Sequence, residues 1–133
     1  MKRPLAYLWA GPVSLFALPF AAAALATGGS ARVESGVLEV GGGVLGTILR
    51  HAIPSFPIGA ITLGHVVLGA DAGELEATRA HERIHVRQYE RWGVLFPALY
   101  LASSASALLT GRRLHADNRF EREASRADRI RTA

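Results

Sequence analysis

The chain contains no cysteine. A disulfide framework is therefore excluded, and so is any thiolate zinc site; a metal would have to be held by His, Asp or Glu. Lysine is almost absent as well: Lys2 is one of 15 basic residues and the other 14 are arginine. Aromatic residues make up 8% of the chain and are not interleaved with the arginines, which argues against a nucleic-acid-binding module. There is no internal repeat and no low-complexity tract.

Apolar residues, in contrast, make up half of the 133 positions, and the mean hydropathy is +0.20, high for so short a soluble chain. The net charge of +4 then points to anionic lipid headgroups as a partner. From Leu5 to Ala26 the sequence reads LAYLWAGPVSLFALPFAAAALA, without a charge and preceded by Lys2-Arg3. About 20 apolar residues cross a bilayer, so 1–27 is expected to be an N-terminal membrane anchor and 28–133 the domain it carries. A signal peptide cleaved after Ala24-Leu25-Ala26 is the rival reading. Lys2 and Arg3 favour a cytoplasmic N-terminus with the domain outside. The seven arginines after Gly111 pull the other way, and the balance is read as extracytoplasmic.

Beyond Gly28, Arg32–Val40 has strand character with a turn at Ser35-Gly36. Val44–Ala52 reads as a short helix stopped by Pro54 and Pro57, and Ala60–Gly69 as one β-branched strand. Asp71 and Glu74 form a capping box and Gly93 a C-terminal stop, which predicts a helix over Ala72–Trp92. Val94–Thr110 is apolar, with Pro97 and three serines, and is expected to be a core helix dipping into the membrane interface. A last helix is expected over Asn118–Arg131. The pattern is α+β: a membrane helix, a small hairpin or sheet, and three further helices.

The long helix contains His81-Glu82-Arg83-Ile84-His85. At about 100° per residue, His85 lies roughly 40° from His81 and one turn along, with Glu82 flanking the pair. Both imidazoles can reach one ion while Glu82 holds a water on it. Glu76, Arg79, Arg83, Arg87 and Glu90 form a charged face that is expected to be solvated, so the histidines point inward. Buried core histidines, satisfied by Gln88 or Glu74, are the bland alternative. A third ligand is needed, and His115, Asp117, Glu121, Glu123 and Asp128 lie downstream. Helical angles do not choose between Glu121 and Glu123. Glu121 could instead complete an Asn118-x-x-Glu121 capping box, and Glu123 a surface ion pair.

His81-Glu82-Arg83-Ile84-His85 followed by Glu121-Arg122-Glu123-Ala124-Ser125 resembles the gluzincin branch of the zincin metallopeptidases. The nearest patterns are those of the HtpX-like and CAAX-prenyl membrane proteases, HExxH then ExxAD. With Gln88 the motif is also similar to that of small bacterial HExxHxxQ proteins. The resemblance implies a minimal zincin-like domain, Zn2+ as cofactor, Glu121 as third ligand and Glu82 as the catalytic base. Ser125 stands where the pattern has Asp, a residue that supports a ligand there. The resemblance also implies an edge strand, Ala60–Gly69, along which an extended peptide or protein substrate pairs. Gln88, His115 and His65 are candidates for ligand support or substrate contact, and His115 or Tyr89 for stabilising an oxyanion. The expectation is a membrane zinc metallopeptidase, with a non-catalytic zincin-fold binding or scaffold protein as the alternative. A structural membrane protein with a coincidental motif is the third.

Overall fold

The uncharged run near the N-terminus folds as one helix, α1 (Arg3–Ala26), with Pro12 and Pro19 inside it. The structure, a computed structural model, describes residues 3–52 and 58–132. Pro54 and Pro57, expected to stop the second helix, lie outside the described residues. The elements that follow α1 are β1 (Ser30–Glu34), β2 (Val37–Gly41), α2 (Gly43–His51), β3 (Ala60–Leu63) and β4 (Val66–Gly69). After them come α3 (Ala72–Trp92), a single 3₁₀ turn (Gly93–Leu95), α4 (Phe96–Leu109) and α5 (Arg119–Thr132). The chain is thus α+β.

The four strands form one sheet in the order β1-β2-β4-β3. β1 and β2 are an antiparallel hairpin turned at Ser35-Gly36, both with positive φ, and β2 pairs in parallel with β4. Ala60–Gly69, expected as one strand, is instead a hairpin: β3 pairs antiparallel with β4 and occupies the sheet edge. Gly64 makes the turn with φ of 66°, and a Cβ there would stand 2.2 Å from the Ser14 hydroxyl of α1. Both arms are mostly apolar, and only Gly64-His65 marks the reversal in the sequence.

Alternation along the strands sends side chains to two faces. Val40, Val66 and Leu68 pack on Leu45 and Leu49 of α2 and on Ala17, Ala21 and Ala24 of α1. Val37 and Val67 face Leu75 and Val86 of α3. The sheet is therefore the middle layer, with α1 and α2 on one side and α3 on the other. Ala10 of α1 joins Tyr89, Phe96 and Phe120 in a third cluster that ties α3, α4 and α5 together. α1 is long and apolar enough to cross a membrane, and a second such window falls within Ala72–Leu109. Yet α1 is built into the fold, with its alanines buried against the sheet. Val94–Thr110, expected to be a core helix dipping into the membrane interface, folds as the 3₁₀ turn and α4, on which Phe96, Ser104 and Ala107 are buried and Leu101 and Leu109 exposed.

One polar group is sealed into the sheet–α3 layer. Glu39 of β2 is 2% exposed and accepts from Arg79 Nε at 3.0 Å, Arg79 Nη2 at 2.9 Å and Arg83 Nη2 at 3.1 Å. The expected solvated face of α3 is corrected here. Arginine is long enough to reach from the flank of the helix to the sheet, so two of those residues close an internal ion cluster. Removing a partner from such a cluster leaves uncompensated charge. We expect Glu39→Ala to lower stability by about 3 kcal/mol, the lower end of the range for a buried pair, read as an earlier midpoint of denaturant unfolding. Arg113→Ala, which breaks an exposed pair with Asp117, should leave that midpoint unchanged.

Candidate metal centre

Helix α3 starts where its cap dictates. Asp71 accepts from the Glu74 N–H at 2.8 Å, and the Gly93 N–H closes the other end on Tyr89 O. Between these stops, His81 and His85 sit one turn apart on the side of α3 that faces α5. Glu121 lies in the first turn of α5, set by Asn118, whose side-chain oxygen accepts from the Phe120 N–H at 2.9 Å. The Asn118 amide also donates to Tyr100 O at 2.9 Å and Ser104 Oγ at 2.7 Å, so the start of α5 is pinned to α4. The capping role open to Glu121 is not taken; its carboxylate turns toward α3.

The structure brings three donors together. His81 Nε2 is 2.9 Å from Glu121 Oε2, His85 Nε2 is 3.2 Å from Glu121 Oε1, and the two Nε2 atoms are 3.2 Å apart. One donor atom from each of the three residues lies within 4.8 Å of the others. His115 Nε2 is 3.1 Å from Glu121 Oε1 but stands outside that group, so it flanks the carboxylate. Tyr100 donates its hydroxyl to Glu121 Oε1 at 2.7 Å.

The other ring nitrogens fix the tautomers. His81 Nδ1 meets Asp128 Oδ2 at 3.1 Å, and a carboxylate only accepts. His85 Nδ1 meets Gln88 Oε1 at 2.8 Å. The amide orientation of Gln88 follows from its nitrogen, which donates to Phe120 O at 3.2 Å and Glu123 Oε2 at 3.0 Å. Both Nδ1 atoms therefore carry the proton, and in neutral rings both Nε2 lone pairs face each other and the Glu121 carboxylate. Such an arrangement requires positive charge at its centre, from protons or from a cation.

Electrostatics state the same demand. Burial works against charge on His81, but the hydrogen bond it donates to Glu121 when protonated and the charges of Glu82, Glu121 and Asp128 outweigh it and raise the pKa to about 9. His85 is raised against its own burial by Glu121, Glu82 and Gln88. Burial would raise Glu121, yet His115, His81 and His85 hold its carboxyl well below the usual carboxylate range. Burial, followed by the neighbouring Glu121, pushes the Tyr100 hydroxyl up, so it stays a donor.

The donor set fits a divalent cation. Ligands about 2.0–2.1 Å from one tetrahedral zinc stand about 3.3 Å apart, close to the spacings above. Two imidazoles and one carboxylate leave a fourth position, and each imidazole is steadied through its far nitrogen. Asp128 lies one turn beyond Ser125 on α5, and its carboxylate is the one at His81 Nδ1.

The remaining sequence candidates are placed as follows. Glu123 is held by Gln88 and does not join the histidines. Asp117 pairs with Arg113. His65 lies at the β3–β4 turn, stacked on Tyr7 at 4.1 Å and 3.1 Å from Glu90, and makes none of these contacts with the cluster. Tyr89 is buried against Phe96, and burial alone pushes its hydroxyl up to about 12, so it serves packing. Two contacts were not foreseen. Thr62 Oγ1 of the edge strand donates to Glu82 Oε2 at 2.6 Å, fixing a carboxylate that is 6% exposed. Tyr100 approaches from α4. Both depend on pairings 20 or more residues apart, which no local pattern signals. The alternation of β3 does put Thr62 on the face turned toward α3, and that is the one available hint.

No family model matches the chain, and no curated protein and no solved structure matches it. Asn118, fully buried and bonded on both ends of its amide, sets where α5 begins. We expect Asn118→Ala to cost about 2 kcal/mol in denaturant unfolding, because it strands buried partners as well as losing a cap.

Proposed function

We propose that this is a membrane-associated, zincin-like metalloprotein that hydrolyses peptide bonds, with a zinc ion held by His81, His85 and Glu121 and with Glu82 as general base. The observation that carries the reading is the convergence of two Nε2 lone pairs from α3 and one α5 carboxylate, with both Nδ1 atoms already committed to acceptors. Zinc bound there would act as a Lewis acid and bring the pKa of a bound water close to neutrality.

The rest of the work falls to the chain. Glu82 follows His81 directly in α3, and its charge raises the pKa of both imidazoles. Thr62 holds one carboxylate oxygen and leaves the other to take a proton from water and return it to a leaving amine. Asp128 and Gln88 keep the rings turned so that Nε2 faces the centre. The Tyr100 hydroxyl and the half-exposed His115 ring are the donors nearest Glu121, and either would have to turn from that carboxylate to steady a developing oxyanion. Edge strand β3 pairs with β4 on one side only, and an extended peptide can add to the other. The Glu82–Thr62 bond ties that strand to the base.

A second reading, a non-catalytic zincin-fold module that keeps the metal, draws on the clefts. One of about 340 Å³ is lined by Glu34, Arg79, Arg83 and Arg87, and one of about 280 Å³ by Arg50 and Glu74. Neither is lined by the three donors.

Elemental analysis of the purified full chain tests the metal. One zinc per chain is expected, lost in His81→Ala and in Glu121→Ala; a metal-free wild-type protein would sink the proposal. Iron in place of zinc would point to a two-histidine, one-carboxylate iron site and away from hydrolysis. Asp128→Asn should weaken zinc affinity by about 10–100-fold in a chelator competition. Glu82→Gln should keep the zinc and lower hydrolysis of a fluorogenic peptide library by about 10²–10⁴-fold. Equal turnover by the variant excludes Glu82 as base, and no turnover by either favours the second reading.

A further inference from the structure

α1 is held against the domain from one end to the other. Its buried side is a row of alanines, Ala6, Ala10, Ala17, Ala21 and Ala24, each 4% exposed or less. Three polar ties accompany the row. In the second turn the Tyr7 hydroxyl donates to Gly36 O at the β1–β2 turn. At mid-helix the Ser14 hydroxyl accepts from the His65 N–H of the β3–β4 turn at 2.9 Å. Past its end Thr27 accepts from the Val44 N–H of α2 at 2.8 Å. The domain therefore lies beside α1 over nearly all of its 24 residues: the sheet and α2 pack on Ala17, Ala21 and Ala24, and Tyr89, Phe96 and Phe120 on Ala10.

That packing bears on how such a helix can meet a bilayer. If α1 crossed, the sheet would have to enter the hydrocarbon with it. β1 would come too, a sheet edge with an exposed Arg32–Glu34 pair. Open sheet edges and such charges are not tolerated in contact with lipid. The outer side of α1 is nevertheless fit for lipid and for little else: Leu5, Leu8, Leu15, Phe16, Phe20 and Leu25 are all exposed. A helix without a polar side is expected where both faces are covered, here one by the protein and the other by lipid.

Further exposed apolar side chains lie beyond α1. Trp9 lies over Gly93, where a Cβ would meet its ring at 2.4 Å, and Val94 and Leu95 of the 3₁₀ turn are exposed beside it. From there α4 leads to Leu108 and Leu109, 61% and 87% exposed, and to Leu114. In the sequence, exposed Arg112 and Arg113 stand between these leucines, and Lys2 and Arg3 stand at the N-terminal end of α1. Leucines with arginines at their border match acyl chains below anionic phosphates. A second copy of a chain with net charge +4 would bring like charge to the same border.

We propose that α1 lies in the plane of an anionic phospholipid membrane without crossing it, and that the tip of α4 with Arg112 and Arg113 is a second point of attachment on the same side. The domain is then monotopic, with both of its ends on one side of the bilayer. The inference does not depend on the metal reading.

The absence of native cysteine makes the test direct. Leu8→Cys, Phe16→Cys, Leu25→Cys and Leu109→Cys each place a thiol on an exposed site, and each full-length variant is labelled with an environment-sensitive probe in phosphatidylglycerol–phosphatidylcholine vesicles. Far-UV circular dichroism and a thermal melt confirm that each variant folds as the parent does, and Phe20→Cys replaces any that fails. Depth quenching should put all four probes at one shallow level, about 5–10 Å below the headgroup boundary. An impermeant protease should remove N- and C-terminal tags from the same side. Phe16 near the midplane, about 15 Å down, with Leu8 and Leu25 in opposite leaflets, overturns the proposal in favour of a crossing helix. Probes that do not respond to vesicles also overturn it, whether the face is then in water or, by cross-linking, against a second copy.

Discussion

A carboxylate shut away from water must find positive charge, and the position of Glu121 follows from that rule. Its two oxygens meet three imidazoles and a phenol, and burial makes each of those contacts count for more than it would in solvent. The outer nitrogens of His81 and His85 are already bound, to Asp128 and Gln88, so neither of these two rings can turn away. What satisfies the centre is a proton or a cation, and the ring geometry suits a cation at least as well. The docking of α5 on α3, and with it the lower half of the core, is organised around this one group.

A second carboxylate obeys the same rule on the other flank of α3. Glu39 answers to two arginines where Glu121 answers to histidines, and the difference in chemistry separates structure from candidate function. Guanidinium cannot give up its proton and so closes a site permanently. Imidazole can, and so it leaves a site open to exchange. One helix thus carries a fixed charge cluster toward the sheet and an exchangeable one toward α5.

Much of this was legible in the residues. Asp71, Glu74 and Gly93 set the limits of α3, and the His81/His85 spacing put both rings on one side, because capping and helical period are local. Glu121 could not be separated from Glu123 by angle, since both flank the apolar stripe of α5. The choice is made by Gln88, which occupies Glu123 from across the interface. The hairpin within 60–69 was hidden because both arms are mostly apolar and only the two residues Gly64-His65 turn the chain. The pairing of Glu39 with Arg79 and Arg83 spans 40 residues or more, beyond any periodicity. Asp128 was visible only as one acid among several; its role depends on the turn of α5 that lies over His81.

Gln88 joins two things that are usually separate. Its oxygen decides which nitrogen of His85 bears hydrogen, while its nitrogen grips the backbone and a side chain of the C-terminal helix. Tautomer and docking are therefore a single equilibrium, seen once from the ring and once from the helix. Whatever occupies the imidazole on its inner side tightens the amide on its outer side, and through it the seat of α5. A small ion arriving at the centre would therefore meet a ring whose outer nitrogen is already tied, through one amide, to the seat of the last helix.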